Sequence, residues 1–169
     1  MTRTRAATLD DAAVIARIYN EGIRERIATF ETRERDADEI AATLRAKADR
    51  FPTVVVEEDG RVSGWAAASE YRPRDCYAGV AEFSVYVDRD ARGRGVGHAA
   101  MDALIAACEA RGFWKLVSRV FPENEASRAL LRGLGFREVG VYRRHAKLDG
   151  AWRDVVIVER LIGAAAREP

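Results

Sequence analysis

The stretch Phe83-Ser84-Val85-Tyr86-Val87-Asp88-Arg89-Asp90-Ala91-Arg92-Gly93-Arg94-Gly95-Val96-Gly97-His98 decides how this chain is read. An alternating, β-branched run ends at Val87, a short charged loop follows, and three glycines open a long apolar segment. Such a strand–loop–helix junction aims backbone N–H groups and the positive end of a helix dipole at one point. Glycines lack a Cβ atom, so a bulky anion can approach the main chain closely. The junction reads as a pyrophosphate seat, and the strand leading into it as the place for chemistry.

Spacing separates this loop from other phosphate loops. A P-loop would close on Gly-Lys-Ser/Thr, but Gly97 is followed by His98. A dinucleotide fingerprint needs Gly-x-Gly-x-x-Gly, and Gly93-x-Gly95-x-Gly97 does not supply it. What remains is Arg92-x-x-Gly95-x-Gly97 after a strand. On this motif alone, a basic glycine-rich turn with no ligand stays open as the plainer reading.

The 169 residues suit one domain with one sizeable core, and 48% hydrophobic with 33% charged residues is ordinary for a globular chain. A net charge of +1 gives no sign of bulk nucleic-acid binding. Of the 28 basic residues 25 are Arg, spread along the chain as a composition bias rather than a patch. No apolar run approaches the ~20 residues of a membrane span. The first residues, Met1-Thr2-Arg3-Thr4-Arg5, lack the apolar core of a signal peptide. Cys76 and Cys108 have no metal-type spacing and read as free thiols in a reducing compartment, the cytoplasm. His98 and His145 show no HExxH-like spacing, so no metal site is expected.

Along the chain, Arg3 to Ala7 reads as a strand, and Thr8-Leu9-Asp10-Asp11 has the capping-box shape before a helix from Ala12 to Arg24. Ile27-Ala28-Thr29-Phe30 interrupts the helical spacing and is expected to line a pocket. Asp36 to Arg50 reads as an amphipathic helix on Ile40, Leu44 and Ala48, stopped by Pro52. Thr53 to Glu58 and Arg61 to Tyr71 are strands around Asp59-Gly60, a strong hairpin signal. A polar loop, the Val80 to Val87 strand and a helix from Gly95 to Arg111 follow, closed by Gly112. Lys115 to Val120 is a strand, Ala126 to Leu134 a short helix, and Val139 to Leu148 with Trp152 to Leu161 a hairpin around Asp149-Gly150. The order predicts a single α+β domain over residues 1–163, a central mixed, mostly antiparallel sheet flanked by helices, and a frayed tail from Gly163 through residues 164–169.

A second signal stands further on: Asn124-x-x-Ser127-x-x-Leu130-Leu131-x-x-Leu134-Gly135-Phe136. Alone it is an amphipathic helix with a glycine stop. Together with the glycine loop, and in this order, it resembles the GCN5-related N-acetyltransferase (GNAT) superfamily. Ile18-Tyr19-Asn20, Ala28-Thr29-Phe30-Glu31-Thr32, Arg74-Asp75-Cys76-Tyr77, Ala81 to Val87 and Lys147 to Val156 narrow the resemblance. They are similar to the phosphinothricin, methionine sulfoximine and arsinothricin N-acetyltransferases, over about Thr2 to Leu161.

The resemblance implies a GNAT fold, acetyl-CoA as co-substrate, an amino-acid-like small-molecule acceptor and a homodimer, with no nucleic-acid or membrane partner. It places the donor along Val85, Tyr86 and Val87, on Arg92, Gly93, Arg94, Gly95, Val96, Gly97 and His98, and beside Asn124 and Ser127. Phe30, Arg72, Arg74 and Tyr77 would hold the acceptor, with Arg74 gripping its acidic group through a guanidinium fork. Glu82 is the candidate base, since a carboxylate at the head of the strand can take an ammonium proton directly or through water. Freeing an α-amine of pKa near ~8 at neutral pH costs only about 1.4 kcal/mol, within reach of a single carboxylate. Many superfamily members carry Tyr where this chain has Leu131, which has no proton to give a departing thiolate. Water, the ammonium intermediate and Tyr142 are the alternatives.

The leading expectation is therefore an N-acetyltransferase that confers resistance by acetylating the α-amine of a small acidic amino-acid analogue. An acetyltransferase for another small amine or a protein N-terminus is the alternative within the fold. A CoA-binding module without catalysis is the alternative outside enzymes.

Overall fold

The computed structural model describes residues 1–47 and 49–168. Ala48 and Pro169, expected in a helix and in the tail, lie outside the described residues. Seven strands form one sheet: β1 (Thr2–Ala6), β2 (Thr53–Glu58), β3 (Arg61–Glu70), β4 (Val80–Val87), β5 (Lys115–Val120), β6 (Arg137–Leu148) and β7 (Ala151–Leu161). The helices are α1 (Ala12–Glu25), α2 (Ala37–Lys47), α3 (Val96–Ala110), α4 (Glu125–Gly133) and α5 (Gly163–Arg167). The sheet order is β1-β2-β3-β4-β5-β7-β6. Among the described residues only β4 and β5 run parallel, because α3 carries the chain back between them. This is the mixed, mostly antiparallel α+β arrangement that the element order predicts.

The two hairpins turn where Asp-Gly pairs predict them. Asp59 and Gly60 adopt φ of 49° and 79°, and Asp149 and Gly150 adopt 49° and 80°, the left-handed pair that matches strand twist. α3 covers one face of the sheet with Val96, Ala100, Met101, Leu104, Ile105 and Cys108 buried. Burial pushes the Cys108 thiol up to about 12, so it behaves as a packing residue. α1 covers the other face through Ile15 and Ile18, which pack with Val55 and Trp65. α2 lies outside it, with Ile40 and Leu44 only partly buried against the same cluster.

Three boundaries differ from expectation by more than one residue. α2 ends at Lys47, three residues before the expected Arg50, where the chain turns toward Pro52. β6 begins at Arg137 rather than Val139, because pairing to Glu159 extends it. Where a frayed tail was expected from Gly163, residues Gly163–Arg167 wind into α5, and the Gly163 N–H donates to Glu109. β6 forms a sheet edge with Val139, Val141 and Tyr142 exposed, and Trp152 of β7 is exposed beside it.

One ion cluster joins the first strand, the first helix and the sheet. The Arg5 guanidinium donates to both Asp11 oxygens at 2.7 and 2.8 Å and to Glu57 at 2.7 Å. Asp11 is 5% exposed and also accepts the Thr8 N–H at 2.7 Å. Arg5 holds the Asp11 carboxyl below its ordinary range, against the opposing effect of burial. A depressed carboxyl contributes stability above its unfolded pKa and loses it as pH falls through the folded one. Asp11→Asn should therefore cost about 1–2 kcal/mol near neutral pH, since it removes the bidentate charged acceptor of a partly buried guanidinium and leaves it only Glu57. The gap to wild type should narrow as both are unfolded in denaturant at successively lower pH, down to about pH 3. A gap that stays constant with pH would refute this account of the cluster.

Candidate functional site

β4 pairs with β3 from Val87 back to Ala81. To β5 it pairs only at Val80, Ala81 and Glu82. β5 meanwhile stays paired with β7 as far as Val120, so the two strands part after Glu82. At the fork the Ser118 hydroxyl donates to the Phe83 carbonyl at 2.9 Å. Leu131 of α4 and Phe136 are buried there, the Phe136 ring 4.9 Å from that of Phe83. Beyond the fork, the N–H groups that β4 turns toward β5 have no partner strand.

A cavity of about 350 Å³ fills this opening. Side chains alternate along a strand, so Phe83 and Val85 project toward α3 while Glu82, Ser84 and Tyr86 project toward α1. Residues of both sets line the cavity, which therefore passes between the strands from one face of the sheet to the other. A donor and an acceptor entering from opposite faces would meet beside β4.

On the α3 face stands the glycine loop. Gly93 and Gly95 have φ of 75° and 82°, and nothing lies within 4 Å of where a Cβ would stand. Gly95 caps α3, whose first N–H groups open above the end of β4. Arg92 and Arg94 flank the loop, paired with Glu25 and Glu58 at 3.0 Å each, and Val87 closes the strand beneath. Val96 is buried under α3, and the exposed His98 pairs with Asp102 at 2.9 Å. This open cradle of left-handed glycines, bare N–H groups and two arginines fits a pyrophosphate-bearing group. Gly97 has another reason. A Cβ there would lie 3.1 Å from Leu130 Cδ2 of α4, so this glycine also serves the packing of α3 on α4.

Asn124 and Ser127 line the α4 wall. The Asn124 side-chain oxygen accepts the Ser127 N–H at 3.2 Å, capping α4, while its amide donates to the Ile27 carbonyl at 3.2 Å. It thereby ties α4 to the segment after α1, where Arg26 in the left-handed conformation ends the helix. Ala28, Thr29 and Phe30 of that segment do line the cavity, while Ile27 is largely exposed.

On the opposite face, Arg119 of β5 donates to Glu82 at 3.3 Å, and both side chains line the cavity. Phe30 and Phe121 form one wall, edge to face at 4.8 Å. Tyr19 and Tyr86 meet edge to face at 5.0 Å; burial raises both phenols, so both stay protonated at neutral pH.

Of the expected acceptor contacts, only Phe30 lines the cavity. Arg72, Arg74 and Tyr77 stand on the loop after β3, outside the lining. Their side chains are engaged with one another's neighbours: Arg72 lies 5.2 Å over the Tyr71 ring and Arg74 5.8 Å over Tyr77. Arg50 holds the end of this loop by donating to the Ala78 carbonyl. The cation that the cavity does contain is Arg119, which sequence reasoning missed. Alternation along Lys115 to Val120 sets Arg119 opposite the buried Leu116, but only the β4–β5 register brings it to Glu82. Tyr142, an alternative proton donor, is half exposed on β6 and does not line the cavity. Among the described residues no group of three metal-ligating side chains gathers.

Residues 15–136 match the family model described as the acetyltransferase (GNAT) family. The chain is 36% identical over 157 residues to a phosphinothricin N-acetyltransferase of Alcaligenes faecalis, covering 92% of this chain and 80% of that one. It is 31% identical over 157 residues to an L-methionine sulfoximine/L-methionine sulfone acetyltransferase of Pseudomonas paraeruginosa, covering 92% and 91%. Among solved structures it is similar to a GNAT superfamily phosphinothricin acetyltransferase from Sinorhizobium meliloti in complex with acetyl-CoA. That match has a TM-score of 0.91 and 31% identity, over 99% of this chain and 92% of that one.

The contact at Gly97 yields a test of the α3–α4 packing. Gly97→Ala should be near neutral, since the flexible Leu130 end yields by a few tenths of an ångström and alanine favours the helix. Gly97→Val should cost about 1–3 kcal/mol by overpacking, several degrees in Tm for a chain of this length. Adding Leu130→Ala to Gly97→Val should recover part of that loss in a double-mutant cycle. Additive losses would show that the two residues do not share this contact.

Proposed function

The chain belongs to the acetyltransferase (GNAT) family, and we propose that it acetylates the α-amine of a small amino-acid analogue of the phosphinothricin, methionine sulfoximine or arsinothricin type, so conferring resistance to it. Acetyl-CoA would supply the activated acetyl group, its pyrophosphate on the Arg92–Gly97 loop. The observation that carries the reading is the Glu82–Arg119 pair at 3.3 Å in the wall of the through-sheet cavity. An α-amino acid presents an ammonium and a carboxylate on one carbon, and this pair offers the opposite charges close together. The names of the curated relatives agree with an amino-acid-like acceptor.

In this reading Glu82 receives the ammonium proton, directly or through one water, and leaves a neutral amine facing the fork. The unpaired N–H groups of β4 beyond Phe83 stabilise the oxygen on which negative charge develops. Arg119 holds the acceptor's carboxylate, which fixes the amine's approach. Leu131 gives no proton; the collapsing intermediate expels CoA as the thiolate of a thiol with ordinary pKa near ~8.5, and the second amine proton reaches that sulfur through water. The domain reading, residues 1–163 with residues 164–169 as a tail, is retained with α5 opening that tail. A homodimer is also part of the proposal, supported by the exposed apolar side chains Val141, Tyr142 and Trp152 along the β6–β7 edge.

Two measurements test it. Glu82→Gln should lower the rate at neutral pH by roughly 10²–10⁴, with partial recovery as pH rises and solvent itself supplies free amine. A pH–rate profile with the wild-type rate and the same acidic limb would remove Glu82 from the chemistry. Arg119→Ala should raise KM for amino-acid acceptors by about 30–100-fold, corresponding to ~2–3 kcal/mol for a truncated charge pair, and leave that for acetyl-CoA unchanged. Acceptors whose carboxylate is amidated should lose far less. Equal losses for acid and amide would argue against a carboxylate on Arg119.

A further inference from the structure

A second cavity, of about 320 Å³, opens under α2 on the face of the sheet that carries Glu82. It meets the first at Ser69 and Ser84, which line both. Tyr19, Leu44, Thr53 and Trp65 wall it, an amphipathic surface rather than a sealed core. Three charged side chains line it: Arg35, Glu39 and Lys47. Arg35 is taken by Glu31 at 2.8 Å, and Glu39 by Arg33 at 2.7 Å. Lys47 has no ion-pair partner among the described residues.

The chain has 25 arginines and three lysines. Lys115 sits on Glu159 at 2.7 Å and Lys147 lies 4.6 Å over the Trp152 ring. Lys47 alone is half-buried with no counter-charge, and its desolvation lowers its pKa. A partly desolvated ammonium facing a cavity is relieved by an anion delivered with the ligand. The Trp65 indole N–H nearby is also buried without an acceptor.

We propose that this cavity is the side-chain subsite of the acceptor and that Lys47 binds an anionic group, a carboxylate or phosphinate, at the distal end of the amino-acid side chain. The assignment rests on the amino-acid reading above and extends it. Ser69 faces Glu82 across the β3–β4 pair, and Ala67 faces Ser84 one row on. Same-face rows are two residues apart, about 7 Å along the strand. An acceptor with its amine at Glu82 and its carboxylate at Arg119 thus directs an extended side chain past Ser84 toward Lys47. Glu82 and Arg119 read what all α-amino acids share, and Lys47 reads what distinguishes an acidic one.

The test compares phosphinothricin, with its anionic side chain, against methionine sulfone, which is neutral and of similar size. Lys47→Met should raise KM for phosphinothricin by about tenfold or more, while KM for methionine sulfone and for acetyl-CoA stays within about twofold. Lys47→Arg should restore most of the phosphinothricin affinity, and Lys47→Gln substitutes if the methionine variant does not fold. An equal change for both acceptors, or none for phosphinothricin, overturns the subsite. So does a wild-type enzyme that acetylates methionine sulfone but not phosphinothricin. If wild type acetylates neither, the amino-acid reading itself fails and the subsite falls with it. If it acetylates both and Lys47→Met does not discriminate, only the subsite fails.

Discussion

The parting of β4 from β5 after Glu82 is the constraint on which the rest of the site depends. A parallel pair can be joined only by a crossover, and here the crossover is α3, which must start at the far end of β4. β4 follows β3 to reach that start, while β5 follows β7. The gap between them exposes N–H groups inside the molecule, a cost that a folded chain accepts only where something else satisfies those groups. The same gap lets the cavity reach both faces of the sheet. The glycine loop occupies one face and the Glu82–Arg119 pair the other, so the two halves of a transfer reaction are kept apart except at the fork.

The surroundings hold the fork open by packing and capping. Phe83, Leu131 and Phe136 are buried together at its base, and Ser118 pins the last carbonyl. Asn124 is doubly employed, capping α4 and tethering the segment after Arg26 through Ile27. That tether brings Thr29 and Phe30 to the cavity wall. Leu131 illustrates how a residue can touch the site and still be a core residue: it lines the cavity yet is 1% exposed. Its apolar contact supports the base of the fork.

Charge on the two faces follows different rules. On the α3 face the arginines of the loop are exposed and already paired with Glu25 and Glu58, so an incoming anion exchanges partners rather than meeting bare charge. On the α1 face the Glu82–Arg119 pair is partly exposed in the cavity wall, and in the proposed reading each member would meet one end of a zwitterion. Lys47 lacks even that partner, which is why it points to a ligand while the many surface arginines do not.

Much of this was legible in the sequence. The Asp-Gly pairs at 59–60 and 149–150 determine their hairpins locally, because only a left-handed pair of residues closes a two-residue turn. The alternation of Val80 to Val87 determines which side chains share a face, and Gly93 and Gly95 mark backbone that a side chain would strain. Gly97 looked equivalent in sequence, yet it also serves the packing against Leu130, a contact between two helices that no local pattern records. Arg74 and Arg119 differ in the same way. Both are arginines beside plausible strands, but the loop after β3 leads Arg74 away from the cavity while the β4–β5 register sets Arg119 against Glu82. Lys47 carried no reading of its own within the expected Asp36 to Arg50 helix; its place at a cavity follows from how α2 docks over the sheet. Local conformation and side-chain periodicity are properties of neighbouring residues, so sequence determined them. Which charges meet depends on strand register and helix docking, set by burial summed over the whole core, so only the tertiary structure decided that.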